Sequence, residues 1–315
     1  MQGEELFPVR KLSDIFTYQI NFIDSLVGIN YTISTLRKYK RTYEILKRYM
    51  KRNYDVEDLR LDELDFKFIR EYEAFLRTNY TMQNNTVAST VRRVRSVVRL
   101  AMNLGWLSHD PFIALKMKVD EVYRDYLTSE ELSRMCSKTF KLKRLATVRD
   151  LFVFSCYTGL AYIDTVKLQL DDVFTGEDGE QWLQSHRSKN NNRVRIPLLP
   201  PALKLIKFYQ DDPRTPVGKL FPPISNQKAN AYLKEIAKAV HINKKLTYHI
   251  ARHTFATTVT LTNGVPIETV GQMLGHKSIK STQLYARVTD KKVKIDMDPL
   301  KARYEGQELG LEKEY

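Results

Sequence analysis

From about residue 13 to residue 104, apolar side chains recur every three or four positions in four successive blocks. That period lets a helix bury one stripe, whereas a strand would turn half of those side chains to water, so packed helices are expected here. The first block covers 13–30 and opens on Ser13, whose hydroxyl can cap a helix. The second, 32–52, carries Leu36, Tyr39, Tyr43, Leu46 and Met50 as its buried stripe. A third, about 62–79, has Leu64, Phe66, Phe68, Ile69, Tyr72 and Phe75; the fourth runs from Asn84-Asn85-Thr86 to Leu104, where Gly105 stops it. Four helices in so short a span make a small helical domain.

The period then lapses. Residues 108–126 hold Asp110-Pro111, the pair Lys116 and Lys118 and little pattern, and read as a linker. Thr128-Ser129-Glu130-Glu131 has the spacing of a capping box and starts a second domain. Helices are expected over Leu145–Tyr157, Leu203–Tyr209 and Ala229–Val240. Between the first two, Leu168–Phe174, Gln181–Arg187 and Arg193–Leu198 alternate as three short strands, with Glu177-Asp178-Gly179 and Asn190-Asn191-Asn192 as turns. A chain of 315 residues is long enough for two cores. The expected organisation is a flexible 1–12, a helical domain 13–107, a linker 108–127, an α-rich domain with a small three-stranded antiparallel sheet over 128–290, and a charged tail 291–315.

Lys and Arg number 51 against 37 Asp and Glu, a formal charge of +14 that suits a polyanionic partner. Arg37, Arg41, Arg48 and Arg52 share a face of the second helix, which is also what a solvated face looks like. Arg92, Arg93, Arg95 and Arg99 lack matching acids nearby and point to phosphate contact. No apolar run approaches the roughly 18 residues of a membrane span, and Met1-Gln2-Gly3-Glu4-Glu5 is no signal peptide. Cys136 and Cys156 read as buried free thiols, so a reducing cytoplasm is expected.

The chemistry gathers between residues 249 and 285. His249 and Arg252 are three apart, on one face of a helix. His276 follows Gly275, which reads as a helix end, and Tyr285 comes nine residues later. A phenol oxygen could attack a phosphodiester while arginine and histidine donors hold the charge on its non-bridging oxygens. His249 and His253 have a zinc-like spacing, but the glutamate that would accompany it is missing, so no metal is expected.

His249-Ile250-Ala251-Arg252-His253-Thr254-Phe255-Ala256-Thr257, then Gly264 to Leu274-Gly275-His276, then Tyr285, resemble the tyrosine recombinase (lambda-integrase-like) family. The ordered set is far more specific than any one pair, and a looser likeness extends over most of the chain. The resemblance implies a SAM-like core-binding domain over 13–107 and a catalytic domain over 128–290. It makes Tyr285 the nucleophile, and Arg252, His249 and His276 the phosphate ligands. Lys189, at the tip of the second hairpin, becomes the general acid for the leaving 5′-oxygen. Double-stranded DNA would be the partner, held by a homo-tetramer with an accessory DNA-bending protein. Strand exchange would pass through a 3′-phosphotyrosine and a Holliday junction, with no cofactor. The tail would be a frayed end or a helix exchanged between protomers.

One position departs from the pattern. The family box Thr-Gly-x-Arg-x-x-Glu reads Thr158-Gly159-Leu160-Ala161-Tyr162-Ile163-Asp164, so Ala161 replaces an arginine and Asp164 takes the acidic place beside the site. An engineered knockout, a degenerate enzyme and an arginine from elsewhere are the explanations. The form is similar to integrases of Bacteroides-type mobile elements, in which that arginine is often absent. Replacement is therefore favoured, with Arg149 as the leading substitute and Arg187 and Arg193 as alternatives. Integrases of that branch carry a further N-terminal arm-binding domain, which residues before 13 could not supply. Mobile-element integration or excision is the leading expectation; dimer resolution of the Xer type and a non-cutting DNA-binding relative are the alternatives.

Overall fold

The structure is a computed structural model. It describes residues 9–285 and 290–306, except the side chains of 290–292 and 295. Most of the N-terminal stretch, and the tail beyond 306, lie outside the described residues. The chain forms two compact units that divide between Val122 and Tyr123.

The first unit is helical: α1 (Leu12–Ser25), α2 (Ile33–Tyr54), α3 (Phe66–Asn79) and α4 (Asn84–Asn103). α1 stops earlier than its pattern suggests, because the chain turns back through Gly28 at φ +87°. α3 starts later, capped by the Asp65 carboxylate on the Phe68 N–H at 2.7 Å; Leu61–Glu63 is a separate 3-10 turn. Leu46, Met50, Phe68, Ile69, Tyr72, Val91, Val94 and Val98 meet in one core. Tyr49 is fully buried there and donates its hydroxyl to the Phe68 carbonyl, although the α2 stripe did not include it. Phe66, expected inside, is exposed. Residues 108–122 are less free than a linker: Phe112 and Leu115 enter this core, and the side chains of Asn84 and Asn85 bond to the backbone of Lys118 and Asp120.

The second unit begins with α5 (Ser129–Ser137), whose capping box forms as expected: Thr128 and Glu131 exchange backbone-to-side-chain bonds at 2.8 and 3.2 Å. α6 (Lys143–Thr158) is buried on nearly all sides, and α7 (Tyr162–Thr165) is a single turn. Strands β1 (Val173–Thr175), β2 (Gln181–His186) and β3 (Arg193–Pro197) form an antiparallel sheet in that order. The register opposes Leu183 to Ile196 and Ser185 to Val194. Leu183, Val194 and Ile196 face the core, as period-2 alternation requires. β1 is shorter than expected because Leu170–Asp172 coil into a 3-10 turn. α8 (Pro200–Gln210), α9 (Asn226–Ala239) and α10 (Tyr248–Thr254) follow. α10 widens into a π turn over Phe255–Thr260, before α11 (Ile267–Met273), α12 (Ile279–Gln283) and α13 (Asp290–Tyr304). Among the described residues no helix is long and apolar enough to cross a membrane. Cys156 is buried, but Cys136 is exposed, which corrects the expectation for that thiol.

Candidate active site

α10 and the turn after α11 build the centre of the site. Arg252 is 3% exposed, so its guanidinium needs acceptors in place of water. It finds the Gly159 carbonyl at 2.6 Å, where α6 ends, and the Leu274 carbonyl, where α11 ends. Helix C-termini carry partial negative charge and suit a buried cation. Gly159 holds φ +70°, and a Cβ there would run into the side chains of Phe255 and Leu274. The same guanidinium lies 3.0 Å from His276 Nε2. Arginine only donates, so Nε2 accepts and the His276 proton sits on Nδ1, which reaches the Thr282 hydroxyl at 2.8 Å.

Tyr285 is 8% exposed. Its ring lies 4.7 Å from that of His253 and is stacked on that of His276 at 5.9 Å. The phenol also acts electrostatically on Arg252, favouring its charged form. His253 in turn meets His249 edge-on at 4.7 Å. His249, Arg252, His276 and Tyr285 thus stand together, 36 residues apart at the extremes, with His253 between two of them.

The electrostatics are those of a crowded cationic site. Burial pushes His249 down to about 4, with Arg124, Arg252, Arg187 and Lys189 acting in the same direction. His276 falls to about 4 by burial, then by Arg252, Arg187 and Lys189. His253 falls to about 3 by burial and its cationic surroundings. Arg252 itself is lowered to about 10 by burial and Arg187, while the Tyr285 phenol and Asp164 oppose the shift; it stays charged at neutral pH.

The β2–β3 hairpin supplies the remaining cations. Its tip is fastened to the Gly275 carbonyl, which accepts from Arg187, Asn190 and Asn192 at 3.3, 3.3 and 3.1 Å. The buried Asp164 carboxylate accepts from the Ser188 N–H at 2.8 Å. Lys189 therefore stands, exposed, on a turn anchored beside the cluster. Gly275 has φ +62°, and a Cβ would lie 2.6 Å from the Arg187 Cδ. The Arg187 Nε is buried and has no partner among the described residues.

Arg149, the leading substitute expected from the sequence, is bonded elsewhere. Its guanidinium caps the end of α5, donating to the carbonyls of Met135, Cys136 and Lys138, and pairs with Asp150 at 2.5 Å. These bonds occupy it away from the cluster. Arg193 donates to Gln184 across the sheet. Of the arginines on α4, Arg93 donates to Thr42 and Thr90, and Arg95 pairs with Asp110 at 3.3 Å, so these two are held within the unit. Arg92 and Arg99, with Arg37 and Arg41 on α2, are exposed. Sequence reasoning missed Arg124, whose NH1 lies 3.0 Å from His249 Nε2, and Thr282 on His276. Neither sits in a pattern that marks it. Among the described residues no three His, Cys, Asp or Glu side chains gather as a metal site.

Residues 125–292 match the phage integrase family, and residues 12–119 match the phage integrase SAM-like domain. A tyrosine recombinase XerD of Listeria innocua serovar 6a is 26% identical over 300 residues, covering 90% of this chain and 97% of that protein. A tyrosine recombinase XerC of Listeria welshimeri serovar 6b is 23% identical, covering 84% and 90%. Among solved structures, the Tn1549 transposon integrase in complex with circular intermediate DNA superposes with a TM-score of 0.71 at 16% identity, over 91% of this chain and 99% of that one. A lambda integrase tetramer bound to a Holliday junction gives 0.68 at 16%, over 97% and 81%. The chain has the lambda-integrase fold and belongs to the phage integrase family of tyrosine recombinases, site-specific DNA recombinases.

Proposed function

We propose that the protein is the integrase of a mobile genetic element, working by a 3′-phosphotyrosine intermediate. The observation that carries the chemistry is Tyr285, held between His253 and the His276 that contacts Arg252. Its phenol oxygen attacks the scissile phosphorus, and the phenol proton passes to His249. The 5′-oxygen leaves with a proton from Lys189. Arg252 binds a non-bridging oxygen with its planar fork. His276 joins it when phosphate takes over the Arg252 N–H: the ring's one proton moves through solvent from Nδ1 to Nε2, where it meets the substrate, and Thr282 then donates to Nδ1. The new phosphodiester conserves the energy of the old one, and attack by another 5′-hydroxyl reverses the step.

Arg187 is the replacement for the arginine missing at Ala161. It adjoins Arg252 and His276 electrostatically, and its buried Nε lacks a partner. A buried guanidinium with a free N–H is poised for an anion. Double-stranded DNA would lie against the basic faces of Arg92, Arg99, Arg37 and Arg41. A homo-tetramer would exchange strands through a Holliday junction, as the solved complexes of lambda integrase suggest. An accessory DNA-bending protein belongs to the same picture. The substitution at Ala161 favours a mobile element of the Bacteroides type; the likeness to XerD over 90% of this chain favours dimer resolution as the second reading.

The test is a nicked suicide substrate built on a core site recovered from a random DNA pool. A covalent protein–DNA band that survives denaturation, forms in EDTA and is absent in Tyr285→Phe is expected. Tight binding without that band would instead indicate a relative that no longer cuts. Exchange that requires element-end DNA, rather than a single core site, would separate integration from dimer resolution.

A further inference from the structure

His249 reaches one partner that the catalytic reading does not use. Arg124 NH1 lies 3.0 Å from its Nε2. The segment carrying this arginine is clamped along α10. Leu127 is fully buried, its N–H donates to Thr254 Oγ1 at 3.0 Å and its carbonyl accepts from Thr258. Lys244 binds the Tyr126 carbonyl at 2.7 Å and Glu131 at 2.5 Å. Thr254 and Thr258 lie just beyond His249 on the same helical run, so the clamp delivers Arg124 to that ring.

We propose that Arg124 is a positioning residue for His249, fixing its ring as the neutral Nδ1–H tautomer with a basic Nε2. A guanidinium has only donors, so a hydrogen bond at this distance requires a lone pair on Nε2. The positive charge also disfavours a second proton on the ring. Arg252, Arg187, Lys189 and the His253 ring face His249 as well, and the three cations act in the same direction. An approaching phosphate competes for the N–H groups of Arg124 and releases Nε2 to take the phenol proton. The assignment rests on the recombinase reading for its consequence in catalysis, but not for the bond itself.

Ring-nitrogen NMR of the full chain without DNA reads the bond directly, and single-turnover cleavage across pH reads its use. In the wild type His249 should hold the Nδ1–H tautomer and stay neutral to below pH 5. In Arg124→Ala its pKa should rise by about one unit, because a cation is removed while burial and the other cations still hold it below 6.5. Cleavage at pH 5 relative to pH 8 should then fall by about 2-fold compared with the wild type, since only the neutral ring accepts a proton. Arg124→Lys should restore the wild-type profile in large part; Arg124→Gln should keep the tautomer but only part of the shift. The His276 resonance, from a ring held by Thr282 in the same unit, reports whether each variant is folded. An unchanged His249 tautomer and pKa in folded Arg124→Ala would overturn the proposal. The expected NMR changes without cleavage by any variant or the wild type would support it and refute the recombinase reading instead.

Discussion

Ala161 leaves a methyl group where a phosphate-binding arginine would stand, and Arg187 and Lys189 on the neighbouring hairpin bring positive charge to the same centre. Arg187→Ala should slow single-turnover cleavage by about 100- to 1000-fold, the cost of one charge-stabilising donor. Arg149→Ala should spare the chemical step and instead lower the melting temperature. It strips three carbonyls of their donor and leaves buried Asp150 without its cation, a loss of about 1–3 kcal/mol. The three histidines have their own signature. Each has a folded pKa below the usual 6.5, so the unfolded chain binds more protons as pH falls from about 6.5 to about 4, and for His253 to about 3. Stability should decline through that window, and His253→Gln should flatten the decline in a pH series of thermal melts. His249, Arg252, His276 and Tyr285, the proposed site residues, stood out in the sequence by order and spacing, and the structure brings them together. Arg124 and Thr282 were not, since their value depends on contacts 125 and 6 residues away that no period announces.

Among the elements, the helices read well where a stripe repeated and badly at their ends. α1 and α3 each lost a turn or more to Gly28 and Asp65, local features that compete with periodicity. The arginine face of α4 shows a different limit. Spacing put Arg92, Arg93, Arg95 and Arg99 together, but Thr42 and Asp110, distant in sequence, take two of them inward. Arg92→Ala and Arg99→Ala should each weaken DNA binding at all sequences and reduce the salt slope of log K by about one. Arg95→Ala should leave that slope unchanged in the same salt titration. The β2–β3 hairpin was visible as an alternating pattern with an asparagine turn; its three bonds to the Gly275 carbonyl were not.

Across the whole molecule, a charge of +14 and two units, one helical and one with a small sheet, suit a protein that works along DNA. Val293, Met297, Leu300 and Tyr304 repeat at helical spacing on α13 and are all exposed; in the proposed tetramer another protomer would cover them. Removing residues 290–315 should leave binding to a single core site intact while reducing tetramer and Holliday-junction yield, read by native electrophoresis. The most direct measurement is peptide mapping of the trapped protein–DNA adduct. The expected result is a 3′-phosphonucleotide on the peptide containing Tyr285 and on none of the other tyrosines among the chain's 18. A nucleotide on a different tyrosine, or on a serine, would contradict the assignment of Tyr285 as the nucleophile.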